Sequence, residues 1–248
     1  LSIMIINKIK YYCLSFLFYS IIFPIDFTDV DLYNSNQKYD KEFDEIKLLY
    51  NASNAESVWR IARAYFNQAE QENENEKKYK LFYKAYDYSK QALKLDSSIA
   101  RANHYYAVLH GQIGLIEGTK QKIINSYDVL TYAKIAINLD PNYDNTYHLL
   151  GRLNFELANL SWIERNLARI IYENPPEGNF YEAENYFKSA IALNPKNIRH
   201  WLWLGKTYIA LGQKNDAKQS LLKAISLNSK NQKKKNNIEE ANQLLNNF

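Results

Sequence analysis

The amino-acid sequence predicts an all-α protein, a solenoid of four helical hairpins with one inserted helix and a capping helix at its C-terminal end. Helix-breaking residues are rare, with 7 glycines and 5 prolines among 248 residues, and 46% of the residues are hydrophobic. Such a composition favours a helical body. Apolar residues recur at three- and four-residue steps, which is the spacing of one helical face. Small residues also recur at equivalent places, as expected where paired helices approach closely.

The plainest hairpin is the segment 198–231, which is 34 residues long. Two helices joined near Gly212 each carry one apolar face that combines large and small side chains. The residues of these two faces are Trp201, Leu204, Gly205 and Tyr208, then Ala217, Leu221, Ala224 and Ile225. The length and the order of residue types resemble the tetratricopeptide (TPR) repeat. The resemblance implies that the hairpins stack into the right-handed TPR solenoid.

Three further hairpins are found by aligning their small residues with those of this unit. The equivalent first-helix positions are Ala62, Ala107, Gly151 and Gly205, and the equivalent second-helix positions are Ala92, Ala136, Ala190 and Ala224. The second-helix positions are 44, 54 and 34 residues apart. Only the last interval has the plain period, so the earlier units contain insertions, which we place at 68–78, 116–125 and 158–176.

The third insertion predicts an additional helix. Ser161 followed three residues later by Glu164 is the sequence signature of a capping box. We therefore expect a helix that starts near Trp162 and stops before Pro175, because proline cannot continue a helix. The apolar residues that we expect this helix to bury are Trp162, Ile163, Leu167, Ile170 and Ile171.

The N-terminal end of the chain differs from the repeats. Residues 1–25 contain Lys8 and Lys10 ahead of the apolar run 11–23, a pattern typical of a secretory signal peptide. An uncleaved membrane anchor and a buried helix are the alternatives. Residues 26–53 are polar and acidic, and we expect them to form a linker.

The repeat domain is expected to occupy residues 54–231 and to be followed by a capping helix at 232–248. Apolar residues recur at helical spacing in this last segment, at Ile238, Ala241, Leu244, Leu245 and Phe248. A solenoid needs such a terminal helix to cover the open end of its apolar core.

No motif for catalysis, metal binding or a cofactor is recognisable in the sequence. The single cysteine, Cys13, excludes an intrachain disulfide and a thiolate metal cluster. The four histidines form no HExxH pair, and the glycines match no phosphate-binding loop. We therefore expect a protein that is not an enzyme and that needs no cofactor or metal. The net charge of +4 is too weak to indicate nucleic-acid binding.

The concave surface of the solenoid is the expected binding surface. It should be lined by one stripe of each first helix, which in the fourth repeat holds Arg199, Leu202, Lys206 and Ile209. The candidate ligand-binding residues are Trp59, Arg63, Arg101, His104, His148, Arg152, Phe155, Arg199 and Lys206. Arginine forks on carboxylate or phosphate groups, so we predict a basic groove for an acidic peptide tail or an anionic lipid headgroup. The alternative is that these charges are only solvated.

Several segments resemble the regulator-of-microtubule-dynamics family. They are 114–127, Gly151-Arg152 with 158–165, and 59–65, and the resemblance covers roughly residues 55–228. It implies a non-enzymatic binding scaffold of this family, whose animal members associate with microtubules. One member is a membrane-anchored protein with a repeat domain linked to phospholipid binding. Lipid binding or transfer at a membrane is therefore the alternative function.

The location follows from the N-terminal segment and the composition. A signal-like segment, together with many Asn, Lys, Ile and Tyr residues, favours an exported bacterial member, either periplasmic or membrane-anchored. A eukaryotic source would instead place the protein on the cytoplasmic face of an organelle membrane or on microtubules. The expected partners are a protein or acidic peptide, or an anionic phospholipid, with membrane association through the N-terminus. We expect a monomer that does not bind nucleic acid.

Overall fold

The computed structural model of the protein describes residues 25–172, 176–227 and 232–247, and every regular element in these parts of the chain is an α-helix. The helices of the described residues are α1 Thr28–Ser35, α2 Tyr39–Leu49, α3 Ala55–Gln71, α4 Asn75–Leu95, α5 Ala100–Glu117, α6 Thr119–Leu139, α7 Asp144–Ala158, α8 Trp162–Ile171, α9 Phe180–Leu193, α10 Ile198–Ala210, α11 Lys214–Ser226 and α12 Gln232–Asn246.

The helices pair in the order that the repeat alignment predicts. α3 packs on α4, α5 on α6, α7 on α9 and α10 on α11, and each hairpin also contacts the next one. α8 lies between α7 and α9 in the chain, while α12 contacts both helices of the last hairpin. The predicted solenoid of four hairpins with an inserted helix and a capping helix is therefore confirmed.

Small residues lie where the paired helices approach most closely. A Cβ atom on Gly205 would lie 2.8 Å from the Leu221 side chain, and one on Gly151 would lie 2.8 Å from the Phe187 ring. Both distances are shorter than carbon atoms tolerate. Each large residue therefore fills the space that the facing glycine leaves open.

Local signals in the sequence define the ends of several helices. The side-chain oxygens of Asn54, Asn179 and Asn197 accept hydrogen bonds from backbone N–H groups in the first turns of α3, α9 and α10. These bonds satisfy donors that have no partner within the helix. Gly212 has a φ of +73° in the turn between α10 and α11, a conformation that glycine adopts without strain.

The N-terminal segment 26–53 is not the polar linker that its composition predicted. α1 and α2 form a hairpin on α3, and Val30 and Ile46 are fully buried in a cluster with Ile61 and Ala64. The expectation was wrong over these two helices because some of their acidic side chains are not solvated. Those side chains, Asp31 and Glu42, pair with Arg60 and Arg63 of α3.

The predicted signal peptide or membrane anchor at 1–25 falls, except for Ile25, outside the described residues. Within residues 25–172, 176–227 and 232–247, none of the helices combines the length and the apolar character needed to span a bilayer.

The inserted helix α8 has the predicted bounds but not the predicted burial. Its N-cap is a full capping box, in which Ser161 accepts from the backbone of Glu164 and the Glu164 side chain accepts from the backbone of Ser161. Trp162, Ile163 and Ile170, however, are 77%, 72% and 81% exposed. The reason is that α7 pairs directly with α9, so α8 is displaced from that interface and contacts the body through α6.

The C-terminal helix α12 covers the last hairpin as predicted. Ala241 is fully buried in a cluster with Leu202 and Leu221 of that hairpin. Ile238, Leu244 and Leu245 pack around the same cluster.

Replacing Gly205 by alanine should destabilise the protein by about 1–3 kcal/mol, because the added methyl group overlaps Leu221. Gly111 of α5 is the matched control, since a Cβ there would meet Val129 at an ordinary 3.4 Å. Gly111→Ala should be neutral or should stabilise helix α5 by up to about 1 kcal/mol. Urea denaturation measures both effects, and equal midpoints for the two variants would contradict the close crossing at Gly205.

Candidate functional site

The concave face is the side of the stack formed by the first helices α3, α5, α7 and α10. The structure divides the nine predicted ligand-binding residues into two groups. The buried group is Trp59, Arg63, His104 and His148, and the partly exposed group is Arg101, Arg152, Phe155, Arg199 and Lys206. The predicted continuous groove is therefore not open along its whole length.

At the first repeat, helices α1 and α2 cover the concave face and neutralise Arg63. Its Nε donates to Glu42 Oε1 at 2.6 Å, and its Nη2 lies 2.8 Å from Asp31 Oδ1. The Glu42 carboxylate is fully buried and also accepts from Asn34 and Asn67. Because Arg63 is buried and lies against two carboxylates, it is not available to a ligand.

Trp59 is also unavailable in this arrangement. Its indole N–H donates to Glu56 at 2.7 Å, and its ring stacks on Tyr105 with 5.9 Å between ring centres. Only 3% of the residue is exposed. Trp59 is therefore part of the core between the first two repeats.

Two of the exposed cations are paired with carboxylates. Arg101 donates to Asp140 at 2.9 Å and its guanidinium carbon lies 3.3 Å from the centre of the Tyr143 ring. Lys206 donates to Glu240 of the capping helix α12 at 2.8 Å. Sequence reasoning missed Asp140 and Glu240 as partners because both lie outside the first helices.

Arg152 and Arg199 are the cations of the concave face with the weakest pairing. The nearest carboxylate oxygen to Arg152, from Glu156, is 3.9 Å from Nη2, which is too far for a hydrogen bond. The Arg152 Nε is buried without a hydrogen-bond partner, while 40% of the side chain remains exposed. Arg199 donates to the amide oxygen of Asn145 at 3.0 Å and forms no ion pair with any described residue.

The electrostatics of Arg152 agree with this incomplete pairing. Burial is the main cause that lowers the pKa of Arg152, and the like charge of Arg199 lowers it further. The carboxylates of Glu156 and Glu240 act in the opposite direction without overcoming these effects. An anion placed beside the two arginines would therefore stabilise both charges.

Trp203 completes this part of the concave face. The guanidinium carbon of Arg152 lies 4.4 Å from the centre of its ring, and Lys206 Nζ lies 4.1 Å from it. Phe155 meets the same ring edge-on at 5.4 Å. We call Arg152, Phe155, Arg199 and Trp203 the Trp203 site.

Sequence reasoning missed Trp203 because it assigned the concave stripe of α10 one residue too early. Leu202, which was predicted on this stripe, is fully buried against Leu221 and α12. The signal was present, since Trp203 is four residues after Arg199 and three before Lys206, on the same helical face.

The histidines predicted in the groove form a buried layer beneath the Trp203 site. Asp144 Oδ2 accepts from His200 Nε2 at 2.9 Å and from Asn194 at 3.0 Å. His200 Nδ1 is then unprotonated and accepts from Nδ1 of His148 at 3.0 Å. His104 and Thr146 lie beside this chain, with 3.1 Å between Nδ1 and Oγ1.

Burial determines the protonation of this layer. It lowers the pKa of His104 to about 3, and it also lowers the pKa values of His148 and His200. Burial alone would raise the pKa of Asp144, but the hydrogen bond from His200 holds that pKa below its usual value. The layer thus contains one carboxylate and neutral histidines. Among the described residues, no three potential ligands cluster as they would around a metal ion.

Stacked hairpins with small residues at their crossings and a terminal capping helix define the protein as a TPR solenoid. The crystal structure of a thermophilic TPR protein from Thermus thermophilus has a similar fold, with a TM-score of 0.59 at 16% sequence identity. The alignment covers 86% of this chain and 95% of that chain.

Sequence comparison places the chain within one family of such proteins. The model of the family "Regulator of microtubule dynamics protein 1-3" matches residues 27–248. The regulator of microtubule dynamics protein 1 of Bos taurus is 35% identical over 200 residues, which are 79% of this chain and 63% of that protein. The protein of the same name from Caenorhabditis elegans is 31% identical over 170 residues, or 68% and 75% of the two chains.

The chain belongs to the regulator-of-microtubule-dynamics family, as its motifs predicted. The match begins at residue 27 and so includes α1 and α2, which the resemblance over 55–228 did not cover. The chain spans 63% of the length of the bovine relative. These relatives are animal regulator proteins rather than members of enzyme families. The bacterial and exported location remains a prediction.

The buried histidines should make stability depend on pH. A histidine that stays neutral in the folded protein binds a proton on unfolding below about pH 6.5, so stability is lost as the pH falls. His104→Gln should therefore reduce the slope of unfolding free energy against pH by up to about 1.4 kcal/mol per unit near pH 5. Urea titrations at several pH values measure this slope. An unchanged slope would mean that His104 is charged in the folded protein.

The ion pair of Arg63 should hold α2 on the solenoid. Glu42→Gln removes one partner of a buried pair, which typically costs about 3–5 kcal/mol. Asp44→Asn is the control on the same helix, because Asp44 forms only an exposed pair with Lys47 and should change stability by less than about 1 kcal/mol. Hydrogen exchange of α1 and α2 should accelerate in the first variant alone. Equal exchange in both variants would show that the pair does not fix α2.

Proposed function

We propose that the protein is a non-enzymatic binding scaffold that holds an acidic peptide at the Trp203 site on its concave face. The family membership and the TPR fold support the scaffold role, since repeat solenoids offer extended concave surfaces for partners. The acidic character of the partner is inferred from the charges of the site. The observation that carries it is the incomplete pairing of Arg152 and Arg199.

The lack of a hydrogen-bonded carboxylate distinguishes these two arginines from the other cations of the concave face. Arg63, Arg101 and Lys206 each have a carboxylate within hydrogen-bond distance. Arg152 and Arg199 repel each other and lack such a partner. A carboxylate that lies between them would gain forked, charge-assisted hydrogen bonds and would relieve the repulsion.

Aromatic rings give the site a second element of recognition. Trp203 and Phe155 form an edge-on pair beside Arg152, and they can pack against an apolar side chain next to the bound acid. The charged contribution should weaken as salt rises, whereas the apolar contact should persist. Peptides that combine Asp or Glu with an aliphatic or aromatic residue fit this arrangement.

A lipid headgroup is the competing ligand, because a phosphate would also satisfy two arginines. Two pockets lie elsewhere, one of about 420 Å³ between α1 and the start of α3, and one of about 350 Å³ between the start of α3 and the end of α4. The larger is lined by Asp26, Asp31, Glu56 and Arg60 among others, so it is not an apolar chamber for acyl chains. We therefore favour the peptide and treat the lipid as an outcome of the experiment.

The test compares two substitutions of the same kind at different places on the concave face. Arg152→Gln combined with Arg199→Gln should weaken binding of a fluorescent Glu-rich peptide at least tenfold, or about 1.4 kcal/mol. Arg101→Gln should change it little, because Arg101 already has Asp140 as its partner. Fluorescence anisotropy at low and high salt measures both effects.

Equal peptide binding by the two variants, with helical content unchanged by circular dichroism, would exclude the Trp203 site. Loss of binding to phosphatidylserine vesicles but not to the peptide would identify the lipid as the ligand instead. The relatives' names refer to microtubule dynamics, so co-sedimentation with microtubules is a further arm. The double variant Arg152→Gln with Arg199→Gln should also bind microtubules more weakly than Arg101→Gln does.

A further inference from the structure

The outer surface of the inserted helix α8 is unusually apolar for a helix that faces solvent. Trp162, Ile163 and Ile170 are each more than 70% exposed, and Ala168 is the residue that α8 buries. These three large side chains are near one another on a helix of ten residues. Scattered exposed apolar residues need no explanation, whereas a concentrated patch usually marks a contact surface.

Cationic side chains share this exposed surface. With 100° between successive residues, Ile163 and Ile170 lie on one stripe, and Arg165 and Arg169 lie on another, with Trp162 between the two stripes. Both arginines are exposed. The exposed side of α8 is therefore half apolar and half basic.

The acidic residues near α8 do not cancel this charge. Glu164, the acid of the helix, is bound in the capping box and lies 3.6 Å from Lys122. Its side chain is 25% exposed, because it faces the body of the protein. Asp128 of α6 lies near the end of α8: burial raises the pKa of Tyr172, and the Asp128 carboxylate raises it further.

Aromatic residues extend the patch onto α6. Tyr127 is 54% exposed, and its ring stacks on Tyr172 at 6.1 Å. The hydroxyl of Tyr172 donates to the backbone oxygen of Ile124, which attaches the end of α8 to α6. Tryptophan and tyrosine favour the boundary between water and the lipid headgroups.

We propose that α8 is a membrane-contact helix that lies on the surface of an anionic bilayer. Amphipathic helices with apolar and Trp residues beside Arg or Lys insert shallowly at the headgroup level. Arg165 and Arg169 would contact anionic headgroups, and the large side chains beside them would enter the acyl boundary. A protein partner would need acids to match the two arginines, whereas a bilayer supplies anionic and apolar groups together.

This proposal does not depend on the proposed peptide site. α8 contacts α6, a second helix of a hairpin, whereas the Trp203 site lies on the first helices α7 and α10. The capping box and the Tyr172 contact hold α8 in place. Its apolar side chains are therefore presented without any change in the fold.

The test uses Trp162 as a local probe in the full chain. Vesicles of phosphatidylcholine and phosphatidylserine with brominated acyl chains should quench its fluorescence, and Trp162→Phe should abolish that part of the quenching. Ile163→Ser combined with Ile170→Ser should weaken the binding to vesicles, measured by this quenching, at least tenfold, or about 1.4 kcal/mol. Leu48→Ser is the matched control, since Leu48 is an exposed apolar residue of α2.

The charge of the surface is tested separately. Arg165→Gln combined with Arg169→Gln should weaken quenching by anionic vesicles at least fivefold, with little effect on vesicles of phosphatidylcholine alone. The Trp203-site variant Arg152→Gln with Arg199→Gln should be quenched like the parent. These exposed substitutions should leave the circular dichroism spectrum unchanged.

Three results would overturn the proposal. Quenching in the parent no greater than in Trp162→Phe would show that α8 does not meet the bilayer. Equal quenching in the Ile163/Ile170 and Leu48 variants would show that the patch contributes nothing. A change in oligomeric state caused by the isoleucine variant, with vesicle binding unaltered, would identify the patch as a protein interface.

Discussion

The close approach of two helices within each hairpin is the constraint on which the rest of the structure depends. At Gly151 and Gly205 there is no room for a Cβ atom beside Phe187 and Leu221. Alanines occupy the corresponding places in the first two hairpins and are fully buried there. Repetition of this crossing in four hairpins aligns the first helices side by side and so creates a concave face. It also leaves an open apolar end on each side of the stack.

The helices that cover these two ends also decide which cations remain available. α2 brings the buried carboxylate of Glu42 to Arg63, and α12 brings Glu240 to Lys206. The helices that cover the ends of the core therefore also supply carboxylates that neutralise cations of the concave face. Arg152 of α7 and Arg199 of α10 have no such partner and define the candidate site.

The pairing of α7 with α9 leaves large apolar side chains of the inserted helix α8 exposed. Because α7 and α9 already fill the interface between them, α8 cannot enter it and packs mainly on α6. Its capping box and helical bounds are local features and are retained. Trp162, Ile163 and Ile170 therefore stay at the surface. An apolar pattern therefore predicted the helix correctly but not its surroundings.

The sequence by itself determined the features that depend on neighbours along the chain. The hairpins, the inserted helix and the terminal helix could be predicted from the sequence. The signals were the small residues at Gly151 and Gly205, the Ser161 cap and the apolar spacing around Ala241. Tertiary structure decided which side chains face solvent. It buried His104 and His148, turned Trp203 rather than Leu202 to the concave face, and folded the acidic segment onto α3. Helical periodicity gives the relative angle of residues on one helix, but burial and charge pairing depend on segments distant in sequence.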